Sequence, residues 1–260
     1  MVKEFKDQYA IILGGSDGLG YASALKLAQH GMNQIIVYRA SRMQATAIEE
    51  RFESLSSLGI QLLTINADAT REDKSLEIIQ QIKEFLGDHQ LYLLLHSISK
   101  GNLKALSGDE SLKTNDFSQT IHAMGSSLAQ WVQLLENQQL WSNPARVISF
   151  TSEGSSKPMK NYAAVSAAKS VLETITRSIA VEYASQGITA NCIQAGVTDT
   201  SSLRRIPGAT ALMDYSIKRN PNHRLTTPQD VANAVYLLAL PESQWITGNV
   251  IKVDGGESLQ

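Results

Sequence analysis

With 260 residues, 43% of them apolar and 18% charged, the chain has the size and composition of one large α/β domain able to bury a substantial core. A formal net charge of −2 gives no basic surplus for nucleic acid or an anionic membrane, and no apolar run approaches the ~20 residues needed to cross a bilayer. Cys192 is the one cysteine, which excludes an internal disulfide and a cysteine-based metal cluster. The charged opening Met1-Val2-Lys3-Glu4-Phe5-Lys6-Asp7 lacks the apolar stretch of a secretion signal, so a reducing, cytoplasmic setting is expected.

In chain order, short apolar runs alternate with longer helical patterns. A strand over 9–13 leads to a helix over 21–30 that Gly31 stops. A strand over 35–38 precedes a polar helix over 41–56, and a strand over 61–65 precedes a helix over 74–86. Residues 91–95 are uninterruptedly apolar, as in a strand buried on both faces. A long helix follows over 117–137, then a strand over 147–150 and a helix over 161–185. Strands over 190–194 and 250–253 flank a helix over 228–240. No repeat or linker divides the pattern, so a single doubly wound α/β domain over 1–260 is expected, with about seven parallel strands and helices on both faces. In such sheets chemistry gathers at the carboxyl ends of the strands.

Gly14-Gly15-Ser16-Asp17-Gly18-Leu19-Gly20 stands between the first strand and the first helix. Glycines there permit a tight turn and let backbone N–H groups approach a pyrophosphate at the helix N-terminus. The second strand ends in Tyr38-Arg39-Ala40-Ser41-Arg42, without the carboxylate that binds a ribose 2′-hydroxyl. Arg39 and Arg42 suit a 2′-phosphate and favour NADPH over NADH; the alternative is a pair of solvated helix-start charges.

Tyr162 and Lys169 are separated by six residues at the start of the helix after the fifth strand. Seven positions are almost two turns, which puts both on one face about 10 Å apart along the axis. That spacing suits a tyrosine near a substrate and a lysine near a nicotinamide ribose. The ammonium is also expected to lower the phenol's pKa from about 10.

Glycine turn, tyrosine and lysine, in this order and on these elements, resemble the short-chain dehydrogenase/reductase superfamily and its Rossmann-type fold. Most of its members carry Tyr-x3-Lys, but here Val165 stands four before Lys169. Tyr-x6-Lys resembles the bacterial enoyl-acyl-carrier-protein reductases, as does His96-Ser97-Ile98 after the fourth strand. Gln194-Ala195-Gly196-Val197-Thr198-Asp199-Thr200 and Val253-Asp254-Gly255-Gly256 are similar to the family's nicotinamide-side loop and C-terminal signature. The resemblance covers essentially the whole chain. It implies a coenzyme held by Gly14, Ser16, Asp17, Gly18, Leu19, Gly20, Arg39, Ser41, Arg42, Asp68, Ala69, Ser97, Ile98, Lys169, Gly196, Val197, Thr198 and Thr200.

Within it, Asp68 meets the adenine amino group or else caps the next helix. Asp17 stands where many NADPH-preferring relatives carry a basic residue. Ser152 replaces a second tyrosine of many Tyr-x6-Lys relatives and falls where ordinary members carry a substrate-binding serine; it either bonds the substrate carbonyl or ends the strand. His122 lies near the ordinary family's proton-relay asparagine, though a lone helical histidine is more often packed; Trp131, Leu134 and Leu135 are expected in the core or an interface. The segment near 201–225 is expected to close over the substrate, with Arg204 and Arg205 either meeting an acidic carrier or solvated. The resemblance further implies a homotetramer and reduction of an enoyl group on acyl carrier protein or coenzyme A. A 3-oxoacyl or other carbonyl reductase is the alternative, and a non-catalytic NADP sensor the alternative of another class.

Overall fold

Every residue of the first strand, β1 (Tyr9–Leu13), is buried, as an inner strand covered on both faces requires. In the computed structural model, which describes residues 3–260, Met1 and Val2 of the charged opening lie outside the described part. Alternate side chains of β1 enter different apolar layers: Ile11 and Leu13 one, Ala10 and Ile12 the other. The chain continues through α1 (Gly18–Gln29), β2 (Asn33–Tyr38), α2 (Ala45–Ser56), β3 (Leu62–Asn66), α3 (Glu72–Leu86) and β4 (Leu91–His96). Then come α4 (Thr114–Ile121), α5 (Ser127–Asn137), β5 (Trp141–Ser152), α6 (Ala163–Glu182), β6 (Ile188–Ala195), α7 (Ala209–Arg219), α8 (Pro228–Ala239) and β7 (Val250–Val253).

The strands form one seven-stranded sheet in the order β3-β2-β1-β4-β5-β6-β7, each pair parallel. On one face Ile78 and Ile82 of α3, Trp131 and Leu135 of α5, and Leu172 and Ile179 of α6 cover the sheet. On the other, Leu27 of α1, Ile48 and Phe52 of α2, and Val231 and Val235 of α8 do so. Each fully buried aliphatic side chain contributes about 1.5–3 kcal/mol. The direction of winding reverses between β1 and β4, and their carboxyl ends diverge into the crevice where doubly wound sheets bind ligands.

The structure corrects the expected elements in two places. The long helix expected over 117–137 is continuous but widened midway: a π-turn, His122–Ser126, joins α4 to α5. A Cβ on Gly125 would lie 2.8 Å from the Ala168 carbonyl oxygen, so the widened turn lets this segment lie directly on α6. The segment near 201–225, expected to close over the substrate and given no helix, holds α7, whose start follows Pro207 and Gly208, the latter at φ 81°. Its few apolar residues gave no clear periodicity because they face the cleft and not the sheet. Among the described residues no helix is long and apolar enough to cross a membrane.

Candidate active site

At the carboxyl end of β1, Gly14 has φ +91°, and a Cβ there would lie 2.5 Å from the Ser97 carbonyl oxygen at the end of β4. A Cβ on Gly20 would overlap the Gly14 carbonyl oxygen, so turn and helix can approach only as bare backbone. Asp17 is the N-cap of α1 in extended conformation, and its side chain makes no cap hydrogen bond. The first-turn N–H groups of Gly18, Leu19 and Gly20 therefore have no side-chain cap, which fits a diphosphate. The Asp17 carboxylate instead accepts the Ser201 hydroxyl at 2.5 Å. It also lies 3.3 Å from Arg51 Nη1, which donates to the Ser16 carbonyl at 2.8 Å. The negative charge that counted against NADPH is thus paired with a cation from α2.

Arg39, beyond β2, is 63% exposed, with Nη1 3.9 Å from Asp68 Oδ2. Arg42 opens a single 3-10 turn whose preceding residue, Ser41, donates N–H and hydroxyl to Gln44 Oε1. Asp68 is not the N-cap of α3; that is Arg71. Its Oδ1 accepts the Thr70 N–H and hydroxyl, and its Oδ2 accepts Lys100 Nζ at 2.8 Å. Burial raises its pKa, but the Lys100 and Thr70 bonds outweigh this and hold it at about 2. Ala69 is buried, its carbonyl accepting Trp131 Nε1 at 2.8 Å. Ser97 donates its N–H to the Leu13 carbonyl, and Ile98 packs against the core. These residues follow the carboxyl ends of β2, β3 and β4, the edge at which doubly wound sheets bind ligands.

Ser152 is the last residue of β5 and accepts the Gly154 N–H, so it ends the strand while facing the cleft. Tyr162 is the N-cap of α6, and its ring lies where a Cβ on Gly154 would stand 2.7 Å from Cε1. Burial pushes the phenol's pKa up, and the neighbouring Ser152 hydroxyl partly opposes this. The expected lowering by Lys169 is therefore corrected: desolvation wins, and Lys169 points elsewhere. Its ammonium donates to the Phe150 carbonyl at 2.7 Å, and burial lowers its pKa to about 8. Burial, with the Lys169 charge adding to it, takes His96 to about 3, leaving a neutral ring whose Nε2 pairs with Ser127. Cys192 lies 3.1 Å from both the Ser149 and Thr176 hydroxyls, and burial raises its thiol. His122 is packed away from this pair, its Nε2 against the Thr70 carbonyl at 2.7 Å, while Trp131 and Leu135 lie in the core.

A cavity of about 520 Å³ joins Leu19, Arg39, Gly196, Val197, Thr198 and Thr200 to Ser152 and Tyr162. Leu203, Ile206, Leu212 and Tyr215 form one wall, Leu103, Met124 and Val165 another. Of the two arginines, Arg204 is held by Asp199 through two bonds of 2.7 and 2.8 Å, while Arg205 lines the cavity. Reading the sequence did not single out Arg51, Lys100 or Gly154. Gly154, two after a strand-ending serine, was the one with a local signal; the cations act across 35 and 32 positions of chain.

Residues 14–258 match the family model described as Enoyl-(Acyl carrier protein) reductase. The 3-oxoacyl-[acyl-carrier-protein] reductase FabG of Staphylococcus epidermidis is 26% identical over 247 residues, spanning 95% of this chain and 97% of that protein. The peroxisomal 2,4-dienoyl-CoA reductase of Mus musculus is 25% identical over 252 residues, spanning 96% and 84%. A short chain dehydrogenase from Burkholderia cenocepacia, solved in complex with NADP, superposes with a TM-score of 0.83 at 25% identity, covering 98% and 99% of the two chains.

Proposed function

We propose that this chain, which belongs to the short-chain dehydrogenase/reductase superfamily of nicotinamide-dependent oxidoreductases, reduces the 2,3 double bond of an enoyl thioester with NADPH. The observation that carries this is the place of the phenol. Tyr162 stands at the N-cap of α6, and the residue three positions on, where a carbonyl reductase has its tyrosine, is the buried Val165 of the cavity wall. A ketone takes hydride at its carbonyl carbon, so its proton donor belongs beside that carbon. An enoyl thioester takes hydride at the β-carbon, and negative charge gathers on the thioester oxygen several bonds away. A phenol about 4.5 Å further along the axis suits that oxygen, and apolar surface suits the unsaturated carbons.

The coenzyme supplies the hydride. Tyr162 donates its phenolic hydrogen bond to the enolate oxygen, and the raised pKa keeps that donor protonated. Ser152 would orient the phenol, Lys169 would hold the ribose hydroxyls through the N–H groups not given to the Phe150 carbonyl, and water would provide the proton at the α-carbon. Arg39 and Arg42, with Arg51 offsetting Asp17, support NADPH over NADH. The acyl group arrives on acyl carrier protein or coenzyme A, and the family resemblance is what suggests a homotetramer.

Reduction of a 3-oxoacyl thioester is the second reading, favoured by the Staphylococcus relative and by the serine beside the phenol. Coenzyme oxidation with crotonyl or longer enoyl thioesters, run against 3-oxoacyl thioesters with NADPH and NADH separately, decides between them. Turnover of enoyl substrates with NADPH is expected. Turnover of oxoacyl substrates alone overturns the first reading in favour of the second, and binding without turnover overturns both.

A further inference from the structure

Three charged side chains with no part in the steps above meet at the floor of the cavity. Arg219, the last residue of α7, is 8% exposed and forks onto Glu153 through Nη1–Oε1 at 3.0 Å and Nη2–Oε2 at 2.7 Å. Its Nη2 also reaches Glu257 Oε1 at 2.7 Å. Glu257, 2% exposed, accepts the Val197 N–H at 3.1 Å through its other oxygen. A Cβ on the neighbouring Gly196 would lie 2.9 Å from that oxygen, so the carboxylate fits only against bare backbone. Glu153 directly follows Ser152. One guanidinium thus joins the cleft-side helix, the turn of the active serine and, through Glu257, the loop after β6.

Burying such a network is a poor way to add stability, because desolvating its charges offsets most of their attraction. What a planar fork supplies is direction: it fixes both carboxylates relative to one plane. We propose that Arg219 is a positioning residue that sets the Ser152 turn and the Val197 backbone relative to α7, so that α7 covers the acyl chain only when the nicotinamide-side loop is in place. The inference rests on the reductase reading for what the two loops serve, and it is the same for an enoyl or an oxoacyl substrate. Burial raises the Glu153 carboxyl, but the Arg219 bonds and charge overcome this, so the pair stays ionised at neutral pH.

The test uses the full chain with Arg219→Met, Arg219→Lys and Glu257→Gln. Thermal unfolding, the fluorescence of bound NADPH, and kcat and KM for crotonyl and acetoacetyl thioesters are measured. Arg219→Met is expected to lose about 10- to 100-fold in kcat/KM, with the KM for coenzyme raised. Arg219→Lys is expected to regain thermal stability but not kcat, since an ammonium keeps the charge but lacks the planar, bidentate fork that sets direction. Glu257→Gln is the variant for the case that Arg219→Met does not fold. An amide has one acceptor oxygen, so either Val197 or Arg219 loses its partner, and weaker NADPH binding is expected. Unchanged NADPH affinity and kinetics in Glu257→Gln, or lysine restoring full activity, would overturn the proposal. NADPH fluorescence reads the outcome even where neither thioester turns over, so failure of the reaction assignment remains distinguishable.

Discussion

At the β1–α1 turn the cleft is shaped by backbone touching backbone within a few positions of chain, Gly14 against Gly20. At the other end it is shaped by side chains that meet across 66, 60 and 38 positions, in the pairs Arg219–Glu153, Val197–Glu257 and Arg219–Glu257. The first construction tolerates no added atom, while its exposed side chains can vary. The second tolerates small steric change but depends on the identity of each polar group. A coenzyme common to many reactions suits the first kind of wall, and a substrate peculiar to one reaction suits the second.

Tyr162→Phe tests the side-chain end most severely. It is expected to keep coenzyme binding while kcat falls about 10²- to 10³-fold, as for loss of one oxyanion donor. Full turnover of enoyl thioesters by that variant would remove the phenol from the mechanism. Gly20→Ala tests the backbone end: its Cβ would overlap the Gly14 carbonyl and lie 2.9 Å from Ser97 Oγ. Strain of about 1–3 kcal/mol, seen as a lower Tm, should accompany a fall of about 10²-fold in kcat/KM. Ordinary coenzyme binding in this variant would break the comparison.

Replacing Arg39 and Arg42 together with alanine asks whether the backbone end needs side chains only for discrimination. Lost charge-assisted bonds to a 2′-phosphate should raise the KM for NADPH about ten- to a hundredfold and leave NADH unchanged. The most gradual effect concerns Lys169, buried against the Phe150 carbonyl between the two ends. Its pKa, lowered by burial to about 8, means that the folded free enzyme loses this cation as pH rises through 8, while the raised phenol stays protonated. The kcat/KM for coenzyme should then decline about tenfold per pH unit above 8. Between about 8 and the ordinary lysine value of 10.5 the unfolded chain binds the extra proton, so this group makes folding more favourable as pH rises. A falling rate with an undiminished Tm in that window would separate titration from unfolding. A limb beginning only above 10 would assign it to the phenol.

The same contrast governs what could be read in the linear chain. The strands and the glycine turn were legible because they depend on contiguous residues and on simple periods of burial. That Tyr162 opens and Lys169 lies within one helix was legible because the pattern of that helix is local, but where the two side chains point was not. The phenol's pKa was misjudged, since desolvation depends on what packs over the ring, here the turn at Gly154. α7 escaped because its apolar side faces a cavity and carries no regular stripe. Arg51, which offsets Asp17, and the Arg219 network escaped because a charge in a sequence does not say which distant carboxylate it will meet.

Cys192, held between the Ser149 and Thr176 hydroxyls beneath α6, has a consequence for measurement. Its buried, protonated sulfur can meet an alkylating reagent only when β5, β6 and α6 part. Because the chain has one cysteine, the rate of alkylation is an unlabelled clock for openings of the layer that carries Lys169. A ligand that binds only the closed sheet should slow that clock in proportion to its occupancy.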